Sequence, residues 1–290
     1  MLEVDVDAID DKSQLPSETF LGYGPTRSGK TTWFATFPRP IFLADATEKG
    51  WDSAIRIPDE MRFESGVKPI VIGLQSQADW EPALARAAQH IASKRCITLV
   101  VDSITYYADT ALNGIIGTQT KPDMRQAYGT LGNHLRDVRI KAHSIAPIVG
   151  WTALVNAPDE EHPTGGPMIP GKQGDKFGAG VNFLFYFRKE VPANPTLAKT
   201  QPPRFEIRTK QYQRYIAGTR LGEQAELMPD PFVGTYSDFL TTRGYDVEAI
   251  RASLPPMPKE TPKPIAVSRP PIVRATQVRT TPVVITKPVS

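Results

Sequence analysis

Gly24-Pro25-Thr26-Arg27-Ser28-Gly29-Lys30-Thr31 decides how this chain is read. The stretch has the spacing G-x-x-x-x-G-K-[ST] of a phosphate-binding loop. Thr19 to Tyr23 reads as a short apolar strand entering it, and Thr31 to Phe37 as a helix leaving it, stopped by Pro38 and Pro40. The glycines let successive N–H groups point inward, and the helix start adds partial positive charge where phosphate oxygens would sit. Gly24, Pro25, Thr26, Arg27, Ser28, Gly29, Lys30, Thr31 and Thr32 are thus the expected nucleotide-binding set. Lys30 would reach the β- and γ-phosphates and the Thr31 hydroxyl would ligate Mg²⁺, so ATP and Mg²⁺ are the expected ligands.

Working outward, Pro40 to Ala44 reads as a second buried strand that runs into Asp45-Ala46-Thr47-Glu48, one strand over from the phosphate loop. A carboxylate at the C-terminal end of a parallel strand faces the crevice where such sheets bind ligands. Glu48 is therefore the candidate to orient and deprotonate an attacking water. The alternatives are a solvated loop acid, or a capping role for Asp45. Ile97 to Val101 is an unbroken apolar run ending in Asp102-Ser103, as a central strand buried on both faces requires. Asp102 stands 72 residues after Lys30 and is the expected Mg²⁺-holding acid. Ser103 either bonds nearby or caps the next helix.

Ile70 to Leu74 is another strand, and Trp80, Leu84, Ala88 and Ile91 recur at helical spacing. Met124, Tyr128, Leu131, Leu135, Val138 and Ala142 mark a long amphipathic helix whose outer face carries Arg125, Arg136, Asp137, Arg139 and Lys141. Ala146 to Val155 is the next core strand and brings Trp151, Thr152 and Asn156 toward the site. Asn156 to Gly180 is a long Gly- and Pro-rich segment, expected to be a functional loop. Val181 to Phe187 returns as a strand, and Arg204 to Thr209 with Arg214 to Ala217 reads as a hairpin around Lys210 to Gln213.

The fold class expected from this order is α/β: a mostly parallel central sheet flanked by helices, with a C-terminal β-hairpin and a disordered tail. The divisions are a flexible acidic N-terminus over 1–16, a nucleotide-binding core over 17–222, an extension over 223–253 and a tail over 254–290. The tail holds nine prolines and six lysines and arginines against one glutamate. Overall charge is only +3 in 290 residues, so any basic surface is local. Four scattered histidines and one cysteine, Cys96, give neither zinc spacing nor a disulfide. An acidic start and the lack of a spanning apolar run predict a cytoplasmic protein without a membrane.

In this order the pieces resemble the RecA-like core, and more narrowly the phage P-loop proteins grouped with Sak-type single-strand annealing ATPases, the AAA_24-like family. The resemblance runs from about Phe20 to Gly222. It rests on the phosphate loop, the Asp45 to Glu48 strand end, Val100-Val101-Asp102-Ser103, the Gly165 to Gly180 segment, and Tyr215 to Gly222. It implies an ATPase working between neighbouring subunits of a ring or filament, with single-stranded DNA on mobile loops and the host cytoplasm as its place. Gly165 to Gly180 would be a DNA loop, and Lys172, Lys176 or Arg220 would reach DNA or a neighbour's γ-phosphate; the plain alternative is loop lysines that keep the surface soluble. Recombinases carry an amide, and annealing relatives a histidine, where this chain has Trp151-Thr152, leaving Thr152 or Asn156 as sensor. The late motif has Gly218-Thr219 where relatives place a lysine. The competing expectation is an ATPase acting on a protein, a helicase loader or remodelling factor, docked through the tail.

Overall fold

A computed structural model describes residues 11–46, 50–117, 123–160, 163–190, 204–220, 222 and 224–258. The strands are β1 (Glu18–Tyr23), β2 (Pro40–Asp45), β3 (Ile70–Leu74), β4 (Thr98–Asp102), β5 (Ile148–Ala153), β6 (Val155–Asn156), β7 (Gly166–Pro167), β8 (Phe183–Glu190), β9 (Arg204–Arg208) and β10 (Gly218–Thr219). The helices are α1 (Lys30–Phe34), α2 (Asp52–Ile55), α3 (Trp80–Ala92), α4 (Ile104–Gly117), α5 (Met124–Ile145), α6 (Gln173–Gly178), α7 (Gln224–Leu227), α8 (Tyr236–Thr242) and α9 (Val247–Ser253). The main sheet runs β10-β8-β1-β5-β4-β2-β3, and β9 also pairs with β8. Every pairing from β8 across to β3 is parallel; β9 and β10 join antiparallel.

Alternation along the strands divides the core into two layers. Leu21, Tyr23, Leu43, Leu99, Val101 and Trp151 face α3, α4 and α5. Phe20, Phe42, Val100, Ile148, Phe183, Phe185 and Phe187 face α1 and the C-terminal helices. Both faces are covered, which is why β4 needs its continuous apolar run.

Several expectations change. The β2 strand is not one strand over from the phosphate loop, because β5 and β4 lie between it and β1. The expected hairpin also pairs differently: β9 joins β8 rather than 214–217. Charge explains the choice, since buried Glu206 sits between Arg188 of β8 and Arg208, with Arg208 Nη2 at 3.1 Å and Arg188 Nε at 3.6 Å. Tyr212 to Tyr215 instead closes a tight turn on itself, each N–H donating to the other's carbonyl. The 156–180 segment is not structureless in its described part. The β6–β7 ladder and α6 occupy it, and the Thr105 hydroxyl donates to the Met168 carbonyl at 2.7 Å.

The extension is part of the core. Phe239 of α8 packs edge-on against Phe20, Phe183 and Phe185, and Arg243 makes a buried bidentate pair with Glu18 at 2.6 and 2.9 Å. From Asp11 the lead-in is held too, because the Asp246 N–H donates to the Lys12 carbonyl and the Lys12 ammonium lies over the Tyr245 ring. Nearly all of the tail, 259–290, lies outside the described residues. Among the described residues no helix is long and apolar enough to cross a membrane.

The Glu18–Arg243 pair locks β1 to the C-terminal helices, and burial pushes the Glu18 carboxyl above its ordinary range against the opposing pull of Arg243. Arg243→Ala should therefore cost about 3–5 kcal/mol in urea unfolding, since it strands a buried carboxylate. Glu18→Gln combined with Arg243→Met should cost less than Arg243→Ala alone; an equal or larger loss would show that the charge is not the cause.

Candidate nucleotide site

The cleft lies at the C-terminal edge of the parallel strands and has a volume of about 630 Å³. Its wall begins where β1 turns at Gly24. A side chain there would bring its first carbon 2.2 Å from the Phe187 carbonyl oxygen, so only glycine fits. Gly29 takes φ 92°, the left-handed turn that starts α1. Pro25, Thr26 and Arg27 at the loop's crown are exposed, whereas Ser28 and Lys30 are buried.

The Lys30 ammonium donates to the carbonyls of Gly24 at 2.8 Å and Pro25 at 2.7 Å, with Ser28 Oγ at 3.4 Å. Burial pushes its pKa down to about 8, against the opposing field of Asp102. It is thus an amine held by neutral oxygens and available to anionic ones. Thr31 Oγ1 donates to Asp102 Oδ2 at 2.8 Å, and Thr152 Oγ1 donates to Asp102 Oδ1. One carboxylate at the end of β4 is therefore oriented by hydroxyls from α1 and β5.

This donor set fits Mg²⁺: a hydroxyl and a carboxylate, hard oxygen ligands, beside a loop shaped for phosphates. Among the described residues no three or more His, Cys, Asp or Glu side chains cluster to hold a metal. A protein cage is not needed where substrate phosphates and water complete the shell. Bound there, Mg²⁺ would neutralise charge on the phosphate oxygens. Asp45 is buried at the end of β2 and lines the same cleft, as do Gly50 and Trp51. Glu48 lies outside the described residues. Ser103 lines the cleft and caps α4, accepting from the Tyr106 N–H at 3.3 Å. The Asp102–Ser103 peptide is cis.

Lys30, Thr31, Thr32, Asp102 and Thr152 therefore share one cleft. Asn156 does not join them; it is exposed on β6 and paired with Gly166. Lys172 is exposed at the start of α6, Lys176 borders a separate pocket between α5 and α6, and Arg220 is exposed beyond β10. Trp151 points to the other face and packs edge-on against Phe177. Sequence reasoning missed Phe205, which is 48% exposed on β9 and stands over Gly29 at the mouth of the cleft. Alternation in Arg204-Phe205-Glu206-Ile207-Arg208 would have placed it opposite Glu206, but not against the phosphate loop.

The AAA_24 family model, described as an AAA domain, matches residues 18–146, from the first residue of β1 to the end of α5. No curated protein matches the chain. Among solved structures, an ATPase from the type III secretion system of pathogenic bacteria is similar at 15% identity and a TM-score of 0.41, over 64% of this chain. The similarity spans 53% of that protein, about half its length. The part of the chain that the AAA_24 model matches holds the phosphate loop, its lysine and the strand-end aspartate, which converge in one cleft.

Proposed function

We propose that the protein binds and hydrolyses ATP with Mg²⁺ and couples this to single-stranded DNA in phage recombination or replication, working as a ring or filament in the cytoplasm. The observation that carries the ATPase half is the Thr31–Asp102–Thr152 bridge beside buried Lys30. In this reading Lys30 trades its loop carbonyls for phosphate oxygens and stabilises charge as the terminal phosphate leaves. Thr31 and Asp102 would hold Mg²⁺, Thr152 would sense the terminal phosphate through the same carboxylate, and Glu48 would orient water. The DNA half is supported by cations that lie outside their own subunit's cleft, Lys172, Lys176 and Arg220, and by the sequence resemblance.

In this reading the phosphate end faces Asp102 and Thr152 on β4 and β5, and the base lies toward β8 and β9, on the other side of β1. Phe205 stands there half-exposed over Gly29, and the base would stack on its open face.

Three measurements test this reading. Lys30→Ala should lower ATP turnover by about a hundredfold or more, and single-stranded DNA should stimulate the wild type. Unchanged turnover in the variant would remove the site assignment, and absence of stimulation would favour a protein partner. Phe205→Ala should raise the Kd for ATP by roughly tenfold without loss of thermal stability, as expected for losing one base-stacking ring; unchanged affinity would place the base elsewhere. Finally, the free Lys30 amine has a pKa of about 8, below the ordinary 10.5, and a bound triphosphate restores its charge. Nucleotide binding should thus take up a proton above pH 8, and affinity should fall about tenfold from pH 7 to pH 9. Calorimetry in buffers of different ionisation enthalpy reads the proton directly, and no uptake would contradict the buried-amine account.

A further inference from the structure

The groove between α5 and α6 holds a second, strongly basic pocket of about 220 Å³, on a different part of the surface from the ATP cleft. Arg136 and Arg139 reach it from α5, and Lys176 from α6, with Asn133 and Gln173 supplying amides. Its position is fixed by strand polarity. The phosphate loop leaves β1 at its C-terminal end, after Tyr23, and Tyr23 is level with Tyr186 of β8. Arg139 instead lies against Gly180, just before β8 begins, so closely that any side chain there would meet its guanidinium at 1.2 Å. The Arg220 N–H donates to the Asn182 carbonyl at that same N-terminal edge of β8.

The pocket is built rather than incidental. At Gly132 the two helices approach so tightly that a side chain would strike the Gln173 amide, and that amide donates to the Tyr128 carbonyl. Arg139 is held over the Phe177 ring, 5.7 Å from its centre, and donates to the Phe177 carbonyl at 3.4 Å. Among the described residues none of Arg136, Arg139, Lys176 and Arg220 forms an ion pair with a carboxylate, although Asp137 and Asp175 are neighbours in sequence. Burial, Arg220 and Arg136 together push the Arg139 pKa down, so the cations crowd one another. Like charges gathered around a pocket lower their energy when an anion enters.

We propose that this pocket binds the backbone phosphates of single-stranded nucleic acid, with Arg136, Arg139 and Lys176 as the contacts and Arg220 extending the track along the edge of β8. The proposal rests on the DNA-binding reading above and names its surface. Two arginines and a lysine around amide donors suit phosphate oxygens, which accept forked hydrogen bonds from guanidinium. Such contacts position a strand without reading its sequence. They also give Arg220 and Lys176 a task on their own subunit, away from any neighbour's nucleotide.

The test is anisotropy of a labelled oligothymidylate with the full chain across a salt series. Arg136→Glu with Lys176→Glu changes two exposed side chains, so the fold should survive, as checked by an unchanged Tm and unchanged ATP binding. The expected result is at least a tenfold loss of oligonucleotide affinity. In the milder Arg136→Ala with Lys176→Ala variant, the slope of log affinity against log salt should fall by roughly 1.4, at ~0.7 per lost phosphate contact on single strands. A charge-matched control, Lys68→Glu with Lys94→Glu, should bind almost as the wild type does. If the wild type binds and the pocket variants bind equally well, or if the control loses as much, the pocket is not the site, while the DNA-binding reading stands. If the wild type does not bind the oligonucleotide at all, both fall.

Discussion

The position of the Asp102 carboxylate is the constraint on which the site depends. Two hydroxyls hold its two oxygens, one from the helix that leaves the phosphate loop and one from the strand next to β4. That requires β1, β5 and β4 to end level with one another, which the parallel register provides by setting Gly22 opposite Thr152 and Val101 opposite Trp151. A slip of one residue in β5 would turn Thr152 to the opposite face and put Trp151 in the cleft. The site is therefore a property of sheet register before it is a property of any side chain.

What holds that register is the aromatic layer beneath α1. Trp33 packs edge-on against Phe20, Phe34, Phe37, Phe185 and Phe187, and Phe37 stacks on Tyr236 from the C-terminal extension. Rings buried this way contribute through their large area and through preferred edge-to-face geometry. They tie a short helix of five residues to β1 beside it and to β8 and α8, both distant in sequence. Such a helix is too short to be stable alone, so the loop's shape depends on this packing. The Thr36 hydroxyl adds a polar link, accepting the Tyr236 N–H at 2.9 Å while donating to the Trp33 carbonyl.

The phosphate-loop end of the fold was legible because its signals are local. Gly24, Gly29, Lys30 and Thr31 are fixed by the stereochemistry of one turn, and the run into Asp102 by burial on both sheet faces. Strand order was not legible, since nothing in Pro40 to Asp45 tells that β4 and β5 insert between it and β1. The β8–β9 pairing was hidden for a related reason. Residues 204–208 look like the first arm of a local hairpin, and the choice is made by Glu206 meeting Arg188 across a gap in sequence. Phe205 escaped notice because exposure of one ring acquires meaning only when a glycine from another element lies under it. The extension misled in the opposite way: Pro229 and Pro231 suggest a break, yet they turn the chain so that α8 covers Phe20 and Phe183.

Adjacent residues of β5 connect the phosphate-loop cleft with the pocket between α5 and α6. Thr152 meets Asp102 in the phosphate-loop cleft, while Trp151, one peptide earlier, points to the opposite face and lies edge-on against Phe177 of α6. Phe177 in turn lies under Arg139, and Lys176 precedes it at the rim of the second pocket. The path is short and fully packed, with Trp151 buried completely. Close-packed interiors transmit displacement rather than absorb it. Any shift of the β5 end would therefore have to be taken up either by the β1 and β4 ladders on its two sides or by α6. The β1 ladder resists, pairing β5 from Ile148 to Ala153, and the β4 ladder adds pairing as far as Trp151. The helix α6 is six residues long and has no side-chain cap, so it is the softer of the two.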